Sequence, residues 1–302
     1  MRIGVDLGGS KIEAAALDAE GRVVLTRRTP TPAGDYAGTI AAVEQLVAEI
    51  EAALGRRCTV GIAMPGALSP ATRLVKNANS TCLNGRPFDR DLAAALDRPL
   101  RFANDANCFA LSEAVDGAAV DAAVAFGVIL GTGVGGGTVV DRRVLVGRNA
   151  IAGEWGHSPL PWPRDDERPG PPCYCGKKGC IETFLSGPGL ALDHRTATGE
   201  SLDAATIAAR AASGEPGAAA SLARYQERLA RGLATVINLL DPDVIVLGGG
   251  VGKIPSLYQE VPRQWQKYIF SDQVVTRLAP PRHGDASGVR GAAWLWPWEE
   301  GP

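Results

Sequence analysis

No stretch of this chain approaches the ~18 consecutive apolar residues that a membrane-spanning helix needs, and the opening MRIGVDLGG brings a polar turn before a secretory apolar region could form. A membrane partner is therefore not expected, and a cytoplasmic location is. Basic runs are absent too: 31 Lys and Arg against 33 Asp and Glu leave a net charge of -2, with nothing to track a phosphate backbone, so nucleic acid is not an expected partner. Cysteine is scarce and unevenly spread. Cys58, Cys82 and Cys108 stand singly among apolar neighbours, whereas Cys173, Cys175 and Cys180 crowd together. That spacing argues against a disulfide framework and fits small buried hydrophobes plus one metal site in a reduced compartment.

What is present is the make-up of an ordinary globular protein, 45% hydrophobic and 21% charged, long enough at 302 residues for two modest domains. RIGVDL from Arg2, KIEAAALD from Lys11 and RVVLTRRT from Arg22 read as a three-stranded meander. Asp35 to Leu54 has helical spacing with Asp as cap, TVGIAMPG from Thr59 reads as a buried strand, and PLRFA from Pro99 as a short one. Asn104 then starts a helix running to Val115, and further helices are expected at Ala204 to Ala212, Gly217 to Leu240 and Gly288 to Trp296, with a buried strand at VIVLGGG from Val244. Moving Phe126–Asp141 back by 123 positions lays it on Ile3–Asp18, matching Gly131 to Gly8 and Asp141 to Asp18. The chain thus reads as an internal duplication in which Asp6 faces Ile129, so only one half carries the acid. The expected division is a small lobe at 1–117, with segment 288–302 packed back on it, and a larger lobe at 118–287 containing a metal segment at 153–182.

Three glycine-rich turns follow apolar strands: DLGGSK (Asp6, Gly8, Gly9, Ser10, Lys11), GTGVGGG (opening Gly131, Thr132, Gly133) and LGGG (with Gly249). Glycine lets backbone amides approach phosphate oxygens, although tight hairpins also need it. A Walker A reading fails because Ser10-Lys11 runs into a strand, and a dinucleotide reading of GTGVGG fails because TVVDRRVLVG continues as a hairpin. Two related strand-turn-strand units suit a nucleotide triphosphate instead. Asp6 is the expected magnesium ligand, and Lys11 either neutralises phosphate or is a solvated strand residue.

Asp105, after a strand and at a helix start, is either a first-turn acid or a base that takes a proton from an alcohol attacking a phosphoryl group. Asn77, Asn79 and Asn84, with Glu154 and Glu182, supply hydroxyl-reading groups. His157-x15-Cys173-x-Cys175-x4-Cys180 matches a closed, structural Cys3His zinc site. The proline-rich stretch inside it has no core of its own, so zinc is expected to fold it and to fix Glu154 and Glu182 nearby.

DLGGSK, FANDAN, GTGVGGG, GEWGH with CYCGKKGCIE, and DPDVIVLGGG, in this order, resemble the ROK family of sugar kinases over essentially the whole chain. Within it, KNANSTCLNGRPFD, AGEWGHSPLPW and HGDASGVRGAAWLWP are most similar to bacterial fructokinases that also accept mannose. The resemblance implies an α/β, actin-like ATPase fold of two related lobes around a cleft, a homodimer, and use of ATP and magnesium. It implies phosphorylation of a hexose, here fructose at its 6-hydroxyl. It makes Asp105 the catalytic base and Asn104, Glu154, His157 and Glu182, with Asn79, the sugar contacts. His157 would then serve zinc with one ring nitrogen and face sugar with its other edge. Asp6 to Lys11, Gly131 to Gly137 and Gly248 to Gly250 fall on the nucleotide side. Kinases for glucose or N-acetylated hexoses, and a non-catalytic sugar sensor, remain alternatives. A DNA-binding repressor is not expected, since the first strand begins at residue 2.

Overall fold

The computed structural model describes residues 1–296. Its contacts gather into two units, one formed by Met1–Val120, Arg142–Ala152 and the chain from His283, the other by Asp121–Asp141 and Gly153–Arg282. Residues 142–152, which carry the short strand β10 (Arg143–Val144), thus group with the first unit.

In the first unit β1 (Arg2–Leu7), β2 (Lys11–Leu17) and β3 (Val23–Pro30) form the antiparallel meander read from the sequence. β4 (Thr59–Met64) and β7 (Leu100–Asn104) extend it in parallel, giving the order β3-β2-β1-β4-β7. Parallel neighbours need crossovers. The first is α1 (Tyr36–Leu54), started by Asp35 accepting from Gly38 N at 2.9 Å and ended by Gly55 at φ 63°. The second passes through the small hairpin β5 (Ala67–Leu68) and β6 (Val75–Lys76) and through α2 (Phe88–Ala95). α3 (Asp105–Asp116) follows β7 without a loop, so its first residue stands at a strand end. Ile3, Val5, Val43, Ile50, Val60, Ile62 and Phe88 fill the core between sheet and helices.

The second unit repeats the scheme. β8 (Val124–Leu130) and β9 (Val134–Val140) are an antiparallel hairpin, and β11 (Val244–Gly248) and β12 (Arg277–Ala279) extend it in parallel in the order β9-β8-β11-β12. This is the arrangement of β2-β1-β4-β7, and the internal duplication seen in the sequence is carried by the topology. The copies differ at the turn: residues 8–11 lie between the last paired residues of the first hairpin and only 131–133 between those of the second. α4 (Ile181–Leu185), α5 (Gly187–Thr198), α6 (Ala204–Ala212), the 25-residue α7 (Pro216–Leu240), the one-turn α8 (Gly249–Gly252) and α9 (Leu257–Trp265) complete this unit. Val128, Leu130, Trp155, Phe184, Leu233, Ile245 and Trp265 lie in its core.

α10 (Ser287–Trp294) returns to the first sheet. Gly4 and Gly61 are paired across β1 and β4, and a Cβ on either would occupy the space of a carbonyl oxygen of α10, that of Val289 or Ala292. Two glycines side by side therefore let this helix lie directly on the strands. Of the expected C-terminal segment 288–302, the described residues form a helix to Trp294, and 297–302 lie outside the described residues.

Candidate functional site

The site residues are distributed over both units. In the first, Asp6 is the next-to-last residue of β1, opposite Glu13 and beneath the start of α10: a Cβ at Gly288 would meet its Oδ2 at 2.8 Å. Burial, then the carboxylates of Asp105 and Glu13, push Asp6 up to about 6, against a smaller opposing pull from Lys11. Lys11 itself lies on Glu13 at 3.0 Å with half its side chain exposed. Asp105 is the first residue of α3. Ala106 N donates both to its Oδ1 at 2.8 Å and to Asn104 Oδ1 at 2.9 Å, so Asn104 takes the cap and the exposed Asp105 carboxylate sits at the positive end of the helix. Asn104 Nδ2 donates to Gly66 O at 3.1 Å, which locks that amide.

Asn79 is exposed and lines a cavity of about 210 Å³ together with Gly8, Gly9 and Thr31, which brings it beside the first glycine turn. Asn84 is used differently from the expectation. Its amide accepts from Ala78 N and donates to Ala78 O, both at 2.9 Å, so it braces the backbone next to Asn79 rather than reading a hydroxyl.

In the second unit, the four expected metal ligands come together: the ligand atoms of His157, Cys173, Cys175 and Cys180 lie within 4.8 Å of one another. Cys175 and Cys180 sulfurs are 3.7 Å apart, and Cys173 Sγ is 3.6 Å from His157 Nδ1. A tetrahedral zinc with Zn–S of ~2.3 Å and Zn–N of ~2.0 Å has ligand–ligand edges of roughly 3.5 to 3.8 Å, so the set fits that ion. Burial and the neighbouring thiols push Cys180 up to about 12, a crowding that a cation would relieve. His157 Nε2 meets the hydroxyl of Tyr174 at 3.0 Å.

The proline-rich stretch has more of its own structure than its composition suggests. Leu160 is buried in the core, Leu160 N donates to Gly179 O and Ile181 N to Ser158 O, both at 2.9 Å. Glu167, 2% exposed at its side chain, accepts from Arg228 Nε at 2.7 Å and from Arg231 at 2.7 and 2.8 Å, both on α7, and from Arg164 N at 2.9 Å. These bonds hold Glu167 down to about 2 despite its burial. The segment is therefore anchored by protein groups at its middle, which corrects the expectation that it has no core of its own.

Glu154 is exposed, and the buried Trp155 beside it donates to Gly135 O at 3.2 Å, fixing this stretch to β9. Glu182 Oε2 accepts from Val134 N at 2.9 Å, and its other oxygen is 3.9 Å from Cys173 Sγ. It therefore links the cysteine cluster to the second glycine turn.

The same unit holds a cavity of about 830 Å³. Gly131 and Thr132 line it on one side, Pro188, Ala191 and Arg195 of α5 on another, with Leu202, Ala204 and Val251. Its walls are mainly apolar and its polar groups few, which suits a flat heteroaromatic ring. Gly249 has φ +80°, and a Cβ there would collide with Leu130 O, so this third glycine turn is required by the backbone. The α5–α6 residues of this cavity escaped the sequence reading, because Pro, Ala and Leu on a helix carry no chemical signature. Tyr174 escaped it as a tyrosine between two cysteines, where the sulfur pattern dominated.

Comparison with known proteins agrees with this architecture. The N-acetyl-D-glucosamine kinase of Pectobacterium atrosepticum is 40% identical over 299 residues, covering 98% of each chain. The ROK hexokinase of Thermus thermophilus superposes with a TM-score of 0.85 at 30% identity, covering 97% of this chain and 96% of that one. A ROK family glucokinase from Streptomyces griseus, solved with glucose and AMPPNP, gives a TM-score of 0.78 at 27% identity over 97% and 98% of the two chains. The fold is that of the actin-like ATPase sugar kinases. With the family pattern matched from residue 2 to residue 299, the chain belongs to the ROK family.

Proposed function

We propose that this protein is a kinase that transfers the γ-phosphoryl group of ATP to the 6-hydroxyl of a hexose. The observation that carries the reading is the coexistence of two features in one chain. One is a nucleotide-sized, mainly apolar cavity bordered by the Gly131–Thr132 turn; the other is a carboxylate, Asp105, held at a helix start next to a second acid. The cavity takes the adenosine, and the amides of the glycine turns take phosphate oxygens. Asp105 takes the hydroxyl proton as the oxygen attacks, and the transfer is direct, since the reaction needs no protein nucleophile. Asp6 holds the magnesium that accompanies the nucleotide, and that ion when bound neutralises phosphate charge. Asn79, Asn104, Glu154, His157 and Glu182 orient the sugar. His157, Cys173, Cys175 and Cys180 hold a structural zinc, which with all four positions filled by protein leaves no open site for a reactive water.

N-acetyl-D-glucosamine is the first candidate sugar, on the strength of a relative of that name at 40% identity over nearly the full length. The fructose expectation finds no support among these relatives. Fructose, with mannose, stays the second reading on the resemblance of KNANSTCLNGRPFD, AGEWGHSPLPW and HGDASGVRGAAWLWP to bacterial fructokinases that also accept mannose. A coupled ADP-release assay over N-acetyl-D-glucosamine, fructose, mannose and glucose tests both. Highest kcat/KM on the N-acetylated sugar supports the first, highest on fructose or mannose the second, and no sugar-dependent ADP release overturns the kinase reading.

A further inference from the structure

Tyr174 sits in the middle of the CYC triplet, yet its side chain does not pack into the fold: the residue is 82% exposed. Its hydroxyl meets His157 Nε2 at 3.0 Å, and its ring stands edge-on to the imidazole, with centroids 5.1 Å apart at 85°. The other ring nitrogen, Nδ1, faces Cys173 Sγ at 3.6 Å. A metal takes only a nitrogen lone pair, so an Nδ1 ligand requires the ring proton on Nε2, where it must be donated. The tyrosine oxygen is the acceptor in place.

We infer that Tyr174 is a positioning residue for His157, a detachable cap whose hydroxyl oxygen accepts the hydrogen bond from Nε2–H in the sugar-free protein and is replaced there by a sugar hydroxyl. The inference rests on the reading of His157 as both metal ligand and sugar contact. Three features support exchange over a permanent bond. The tyrosine is 82% exposed, so solvent or a ligand can take its place; the adjoining Cys173 Sγ lies 3.9 Å from Oε1 of Glu182, which sets the cap one residue from a proposed sugar-reading carboxylate; and an Nε2–H satisfied by either oxygen keeps Nδ1 available to the metal throughout. Sugar and zinc are then coupled through one imidazole.

Tyr174→Phe removes only the oxygen at an exposed position. Zinc affinity of the full-length protein is measured by competition with a chromogenic chelator, with and without a saturating amount of the best substrate from the sugar panel. The expected result is a loss of about tenfold in zinc affinity for the sugar-free variant, as found when an outer partner of a metal-bound histidine is removed. With sugar bound, the difference from wild type closes. Equal zinc affinities in the sugar-free proteins overturn the proposal, as does a deficit that sugar leaves unchanged. If the wild-type protein itself binds no zinc, or binds no sugar, the underlying reading falls with it, and that failure is recognised because it appears without any substitution.

Discussion

Replacing Asp6 by Asn is expected to stabilise the magnesium-free protein at neutral pH while abolishing most of its magnesium-dependent turnover. The carboxyl titrates at about 6 in the folded protein against 3.8 in its absence, mainly through burial. A native state that holds its proton more tightly than the unfolded chain loses stability as pH rises between those values. At about 1.4 kcal/mol per pH unit, the cost of ionising Asp6 reaches roughly 2 to 3 kcal/mol above pH 6 and is absent below about pH 4. Asn matches the side chain in size and carries no such charge. Urea unfolding without magnesium at pH 4, 5, 6 and 7.5 should therefore show the variant and wild type nearly equal at the lowest pH. The gap in favour of Asp6→Asn should open to roughly 2 to 3 kcal/mol by pH 7.5. Magnesium with nucleotide should narrow it again by stabilising the wild type more than the variant, which lacks the magnesium ligand. A gap that does not change with pH, or a variant less stable at pH 7.5, would refute the assignment of Asp6 as a buried charge kept for a cation.

Ala191→Trp places an indole inside the large cavity; KM for ATP should rise at least about tenfold, with sugar affinity by calorimetry unchanged, and equal effects on both would argue against an adenosine cavity. Glu167→Gln leaves Arg228 and Arg231 facing an amide, so denaturant unfolding at pH 7 should report a loss of about 3 kcal/mol or more. Because Glu167 is held down to about 2, its contribution is present above the unfolded value near 4.5 and lost as pH falls toward 2, and the wild-type advantage should shrink over that interval. Cys175→Ser should lose zinc, yet hydrogen exchange should still find the amides of Leu160 and Glu167 protected; full exposure of both would restore zinc as the sole organiser of the segment.

Strand and helix positions were legible wherever a period dominated. The meander, the α1 helix with its Asp35 cap and the repeat of Ile3–Asp18 at Phe126–Asp141 all follow from alternation, caps and glycine turns. The metal set was legible because thiols at that spacing have few other uses. Asn84 misled because an asparagine in a polar loop gives the same signal whether it reads a ligand or braces a turn. Proline-rich composition hid the anchoring of residues 158–172, since Glu167 finds its arginines more than 60 positions away on α7. The walls of the large cavity are ordinary helix residues, and only the packing of α5 and α6 around the Gly131 turn reveals them as a site.

The central claim, that Asp105 removes the proton from a bound hexose, is tested most directly by Asp105→Asn. Asn104 accepts from Ala106 N as Asp105 does, so α3 keeps its cap in the variant and the change falls on the carboxylate alone. Turnover on the best sugar, measured by ADP release alongside calorimetric sugar affinity, should fall about a hundredfold or more with affinity essentially unchanged. Turnover comparable to wild type would contradict the account.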